Sequence, residues 1–221
     1  MRASIFTACL LGSLSLSGAA FADGLGFDQP PVGKEANTFL LRGRAIGVMP
    51  LNWGSSTSIG GGVSATKQAA PEVDISYFFT DHIAMELIAG STRHDVKLVD
   101  TAVGHVDAGS VWVLPPTLTV QYHFMPKARF SPYVGVGMNV TWFYASHGAG
   151  PTVSKLTLSN NVGGALQLGF DYALGGHWYA NFDVKQIFLR TTAEADTVLG
   201  HVSARTWLSP MVVGAGIGYR F

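Results

Sequence analysis

Bulky apolar side chains recur at every second position along most of this chain. Val134, Val136, Met138, Val140, Trp142 and Tyr144 alternate with small or polar residues. Val73, Ile75, Tyr77 and Phe79 alternate with Glu72, Asp74 and Ser76, and Ile83, Met85 and Leu87 with Glu86. Phe39 and Leu41 share a face opposed by Arg42 and Arg44, and Leu118, Val120, Tyr122 and Phe124 oppose Thr117, Thr119, Gln121 and His123. Leu166, Leu168, Phe170 and Tyr172 oppose Gln167 and Asp171, while Trp178, Phe182 and Val184 oppose Asn181, Asp183 and Lys185. The chain ends with Val213, Ala215, Ile217, Tyr219 and Phe221 opposite three glycines and Arg220. Successive side chains of an extended strand point to opposite faces, so period two predicts eight strands of about ten residues. Phe130 to Ser154 lacks Asp, Glu, Lys and Arg, but its prolines, glycines and alternation exclude a spanning helix.

The connections between these strands alternate in length. Short turns are expected at Thr80-Asp81, Met125 to Arg129 and Gly175-Gly176, and long loops at about 51–70, 92–112, 145–160 and 190–209. Both strand termini then lie at the short-turn end of an up-and-down meander. Closed on itself, that meander is an all-β, eight-stranded antiparallel transmembrane barrel: an even number of strands, short turns at one end and long loops at the other. Closure leaves no unpaired strand edge in lipid. A soluble β-sandwich or lipocalin-like barrel also alternates, but its outward face must meet water, and these polar faces carry only one or two charges each.

Composition supports the membrane reading. Only 13% of the 221 residues are charged, about half the usual share for a soluble domain. Equal numbers of basic and acidic residues, 14 each, remove the electrostatic case for a nucleic-acid partner. Residues 1–22 read as a cleaved signal peptide, with Arg2, a short apolar stretch from Ile5 to Leu16, and Ala20-Phe21-Ala22 before Asp23. Its loss removes Cys9 and Arg2, leaving a net charge of −1 and no thiol. Residues 23–37, with Pro30-Pro31, are expected to form a short periplasmic tail, and 38–221 the barrel. Export then implies an integral outer-membrane protein with both mature termini periplasmic and outer-membrane lipid as its first partner.

An eight-stranded barrel is just wide enough for side chains to fill. Its lumen face would carry Arg42, Arg44, Lys185 and Arg220 against Glu72, Asp74, Glu86, Asp171 and Asp183. Unpaired buried charges are costly, so these groups are expected to pair into a plug that excludes a general aqueous pore. Pro50, Pro71, Pro115, Pro116, Pro151 and Pro210 lie at strand ends, where a missing N–H interrupts pairing. Such interruptions could open gaps in the wall; loop punctuation is their plainer role. The first loop holds Leu51 and Trp53 with Lys67 as its one charge, and could line an apolar funnel. No enzyme, metal or cofactor is expected. His94, His105, His147 and His201 lack ligand spacing, Ser91, His94 and Asp95 lack a nucleophile elbow, and Gly60-Gly61-Gly62 lacks the Gly-Lys of a phosphate loop.

Six stretches resemble the OmpW family of outer-membrane proteins. They are FLLRGRAIGVMP at 39–50, DHIAMELIAG at 81–90, LPPTLTVQYHF at 114–124, FSPYVGVGMNVTWF at 130–143, GGALQLGFDYAL at 163–174 and GYRF at 218–221. Ser209-Pro210 departs from the family's usual Asp before that proline. The resemblance implies passage of small hydrophobic solutes through a narrow conduit that opens sideways into the membrane. It places the constriction at Ile88 and Lys185, where Lys185 substitutes an amine for the aromatic of some members. The C-terminal strand, with Ile217, Tyr219 and Phe221 at alternate positions, resembles the assembly signal of outer-membrane barrels and is expected to be read by the barrel assembly machinery. A second implied role is a structural or receptor barrel, for phage or bacteriocin docking or stress protection, without transport.

Overall fold

The computed structural model describes residues 26–51, 56–57, 61–101, 104–150, 153–197 and 200–221. The expected signal peptide at 1–22, Trp53, Gly60 and Pro151 lie outside the described residues. Among the described residues fourteen strands follow one another: β1 (Thr38–Met49), β2 (Ser56–Thr57), β3 (Gly62–Ala65), β4 (Gln68–Phe78), β5 (Ile83–Gly90), β6 (Thr92–Thr101) and β7 (Gly104–Leu114). They continue as β8 (Thr117–His123), β9 (Phe130–Gly148), β10 (Val153–Leu158), β11 (Asn161–Gly175), β12 (Trp178–Thr197), β13 (Gly200–Leu208) and β14 (Met211–Arg220). Among the described residues, β1, β4, β5, β8, β9, β11, β12 and β14 form a ring of antiparallel neighbours. The pairing of β1 with β14, Leu40 opposite Arg220 through Met49 opposite Met211, closes it.

The three connections at the short-turn end are compact. In the first, the Thr80 hydroxyl accepts the Ile83 N–H at 2.9 Å, an ST-turn that reverses the chain between β4 and β5. In the third, Gly176 adopts φ +50°, which favours a residue without Cβ.

The other end differs from expectation. Much of the chain read as long loops is strand: β9 runs 19 residues and β12 runs 20. Around them β2, β3, β6, β7, β10 and β13 carry the sheet beyond the ring. The reason is a reversal of polarity along the wall. In the ring, apolar side chains face out, with Val136, Met138 and Leu168 about 60% exposed, while charged groups face in. In the extensions, Val63, Val96, Leu98, Val153 and Leu156 pack inward as one cluster, and Arg93, Asp95 and Lys97 point out. The outer surface there meets water instead of lipid. The aromatic stripe that marks strands in the membrane stops, although backbone pairing continues.

Aromatic side chains mark the two edges of the apolar belt. Near the short turns Phe39, Tyr77 and Phe79 form one run of ring contacts and Tyr122 and Phe124 another, and Trp112 stacks on Tyr144 at the other edge. On β9 the girdles are represented by Phe130 and Trp142. At about 3.3 Å per residue and a tilt of ~40°, that spacing spans roughly 30 Å, close to the apolar band of an outer-membrane barrel.

Candidate functional site

The lumen divides into a charged lower part and an apolar upper part. In the lower part, Arg42 from β1 is fully buried and reaches Asp171 with Nε and Nη2 at 3.1 and 2.9 Å, a fork-to-fork contact. Its Nη1 donates to Asp74 at 2.9 Å, Ser76 at 2.8 Å and Glu86 at 3.2 Å. Arg44, one turn of the pleat higher, lies 2.7 Å from Asp183, 2.6 Å from Asp74, 3.0 Å from Glu86 and 3.1 Å from Glu72. Its contacts to Asp74 and Glu72 are ion pairs without hydrogen-bond alignment, since Arg44 Nε and Asp74 Oδ2 have no hydrogen-bond partner. Lys185 Nζ completes the layer, 2.8 Å from Glu72 and 3.2 Å from Asp183.

Two sets of residues that the alternation places inside, but that the expected charge plug leaves out, make this packing possible. Neutral amides and hydroxyls take up the remaining lone pairs. Gln121 and Gln167 each donate to Glu86 Oε2 at 2.8 Å, Gln167 donates to Asp183 at 2.6 Å, and Asn181 donates to Asp171 at 2.8 Å. Glycines of β14 provide the room. A Cβ on Gly216 would stand 2.0 Å from the Gly43 carbonyl oxygen and 2.9 Å from Arg44 Cγ, and one on Gly218 would stand 2.9 Å from Arg42 Cγ.

The tail supplies a further cation. Residues 26–37 fold across the short-turn end: Val32 N–H donates to Gly176 O at 2.9 Å, Lys34 N–H to Pro126 O at 2.9 Å, and Ala36 N–H to Asp81 Oδ1 at 3.0 Å. The Lys34 side chain enters the barrel, where it is fully buried. Its amine lies 2.7 Å from Asp171 Oδ2, donates to Ser131 Oγ at 2.9 Å, and reaches His123 Nδ1 at 3.0 Å. Burial pulls this amine down to about 8, against the opposing pull of Asp171. Arg220 stands apart from the cluster in which the lumen pattern placed it. Its guanidinium donates to Gly33 O and lies 3.9 Å from Glu35, tying the tail to the last strand. No sequence signal marked Lys34, because it enters from the end of the barrel and belongs to no alternating face.

Above Lys185 the lumen turns apolar. A cavity of about 80 Å³ is walled by Ile46, Val48, Val111, Ile187, Leu189 and Val212, among others, and floored by Glu72 and Lys185. His94 lies in its wall. Its Nδ1 faces Thr66 O at 2.7 Å, so that nitrogen carries the proton and Nε2 accepts from Thr92 Oγ1 at 2.9 Å. Burial holds the His94 imidazole below its usual range. Of the two positions matched to the family's constriction, Lys185 lines this cavity, whereas Ile88 is buried on the lumen side of β5 outside its lining. Leu51 is half-buried at the rim, where its carbonyl accepts from Ser209 N–H at 3.4 Å, and it too is outside the lining.

The wall around the cavity is interrupted near prolines. Pro50, Pro115 and Pro210 line the cavity. Near Pro115 and Pro116 the break is stitched by Asn139, whose amide donates to Pro115 O at 3.0 Å and Thr117 Oγ1 at 2.8 Å. Near Pro210 it is stitched by Gln186, which donates to Ser209 O at 2.9 Å. A further break lies beside Pro71. The ladder between β4 and β5 ends at Glu72 opposite Gly90, and pairing resumes only at Ala65 opposite Val96. Among the described residues the interval is bridged at its far side alone, by Thr66 with Asp95 and His94. On the lipid face at the opposite end, Ile217 and Phe221 are exposed and Tyr219 is half-buried.

A closed antiparallel ring with an apolar belt, aromatic girdles and a charged interior defines an outer-membrane β-barrel. The sequence profile of the OmpW family matches residues 35–221, and the chain belongs to that family. The uncharacterized outer-membrane protein y4mB of Sinorhizobium fredii is 44% identical over 97% of this chain and 95% of the relative. Outer membrane protein W of Escherichia coli is 34% identical over 97% of each. Among solved structures, the outer-membrane protein OprG from Pseudomonas aeruginosa superposes with a TM-score of 0.78 at 28% identity, covering 86% of this chain and 98% of that one.

Proposed function

We propose that the protein is an outer-membrane conduit for small hydrophobic molecules, entered at the long-loop end and left sideways through the wall. The observation that carries this reading is the stacking of an apolar cavity directly on a paired charge cluster. A solute in the cavity meets Glu72 and Lys185 below it, then the buried layers around Arg44 and Arg42, then the tail at Lys34. Desolvating an apolar solute's path through that cluster would separate charges in a low-dielectric interior, which is far more costly than lateral exit. The unstitched interval beside Pro71 and Gly90 is the exit that this reading selects. In this orientation both mature termini are periplasmic and the polar-faced extensions stand in the external medium. Family membership adds support through the resemblance noted above.

The test is uptake of short n-alkanes into vesicles with a lipopolysaccharide outer leaflet, with and without the protein. The expected result is uptake above the protein-free vesicles together with negligible ion conductance. Uptake no faster than the lipid control would overturn the reading and leave a structural or receptor barrel.

A further inference from the structure

We infer that the cavity selects small neutral amphiphiles bearing a hydrogen-bond donor, such as aliphatic alcohols, with Glu72 as the residue that reads the head group. This inference rests on the conduit reading and specifies its substrate class.

The polar atoms that line the cavity differ in what they have left to offer. The His94 ring is satisfied on both nitrogens by Thr66 and Thr92. Thr117 donates to Pro115 O at 3.0 Å and accepts from Asn139, and Thr141 donates to Asn139 Oδ1. Lys185 directs its amine to Glu72 Oε1 at 2.8 Å and to both Asp183 oxygens at 3.2 and 3.3 Å. Thr92 and Thr141 keep only neutral hydroxyl lone pairs, and Glu72 is the charged acceptor among the described lining residues with an oxygen to spare. Its Oε1 receives Lys185 Nζ and approaches Arg44 Nε at 3.1 Å, and its Oε2 has no partner among the described residues. This carboxylate is 6% exposed and lines an otherwise apolar chamber.

A pure hydrocarbon filling the chamber would strip water from that oxygen and return nothing, which is the expensive case for a buried polar atom. A ligand with one donor at its end restores the bond while its alkyl body meets Ile46, Ile187 and Leu189. Charge excludes the ionised alternatives. Around the floor Glu72 and Asp183 are matched by Arg44 and Lys185, so a carboxylate head would face two carboxylates, and an ammonium head would sit beside two cations already at balance.

The experiment is methyl NMR of the full-length mature protein in nanodiscs, observing Ile46, Ile187 and Leu189. The probes are 1-butanol, its isostere n-pentane, butanoate and butylammonium, with affinities expressed as mole fraction in the bilayer. The expected result is binding of 1-butanol at least tenfold tighter than n-pentane and tighter than either ion, with the alcohol-to-alkane ratio falling to about one in Glu72→Leu. Should that variant fail to fold, Glu72→Gln and the wild-type ratio still decide. Equal binding of alcohol and alkane, tighter binding of either ion, or a ratio unchanged in Glu72→Leu each overturns the inference and leaves the conduit standing. No methyl shift with any probe overturns the conduit reading itself.

Discussion

Lys34 of the N-terminal tail and Asp171 of β11 form an ion pair of 2.7 Å with neither side chain exposed. They are 137 positions apart, and the pair fastens a segment outside the ring to the centre of the lumen. It also sets a pH dependence. The folded state holds the Lys34 amine at about 8, below its ordinary 10.5. Between those values the unfolded chain binds more protons at this site, so stability contributed by the site rises with pH across that window. Urea unfolding in lipid vesicles at pH 7, 9 and 10.5 is expected to show the wild type gaining relative to Lys34→Met. A difference independent of pH would show that burial does not control this amine.

Arg42 joins three strands through Asp74, Glu86 and Asp171. Arg42→Met removes the shared partner of three buried carboxylates, and orphaning a buried charge costs about 3–5 kcal/mol. The expected loss in vesicle-based unfolding is of that size at neutral pH. A loss under about 1 kcal/mol would mean that Arg44 and Lys34 re-pair the cluster without strain.

Pro71 O would stand 3.5 Å from a Cβ built on Gly90, so the proline presents its backbone to the open interval rather than to β1. Pro71→Val supplies the missing N–H and allows the ladder to extend past Glu72. Alkane uptake is expected to fall several-fold with the barrel's thermal stability unchanged or raised. Unchanged uptake would move the exit elsewhere in the wall.

The polarity reversal along the wall gives a paired prediction. Leu168 is 62% exposed in the apolar belt, and Leu168→Arg is expected to cost about 2–4 kcal/mol, as for a cation near the bilayer midplane. Asp95, also outward but beyond the belt, is about half exposed, and Asp95→Leu is expected to change stability by less than about 0.5 kcal/mol. Comparable losses from the two variants would place the membrane boundary wrongly.

Most of the ring was legible along the chain. Alternation such as Leu166, Leu168, Phe170 and Tyr172 fixes which face meets lipid, because one residue of register moves every side chain to the other face. It also put Arg42, Arg44, Glu72, Asp74, Glu86, Asp171, Asp183 and Lys185 inside. The extensions elude the pattern because beyond the belt the outer face turns polar, as at Arg93, Asp95 and Lys97, and the apolar positions face inward.

By itself the sequence determined period, facing and strand order, which are local consequences of a two-residue repeat. Only the closed tertiary structure decided which inward charges meet. Asp171 is shared between Arg42 and a lysine of the tail, Arg220 serves the tail instead of the cluster, and Glu72 pairs with Lys185 while lining the cavity. Ring closure brings together side chains from strands more than a hundred residues apart. Their pairing depends on height in the lumen and on the room left by Gly216 and Gly218, quantities that no single strand carries.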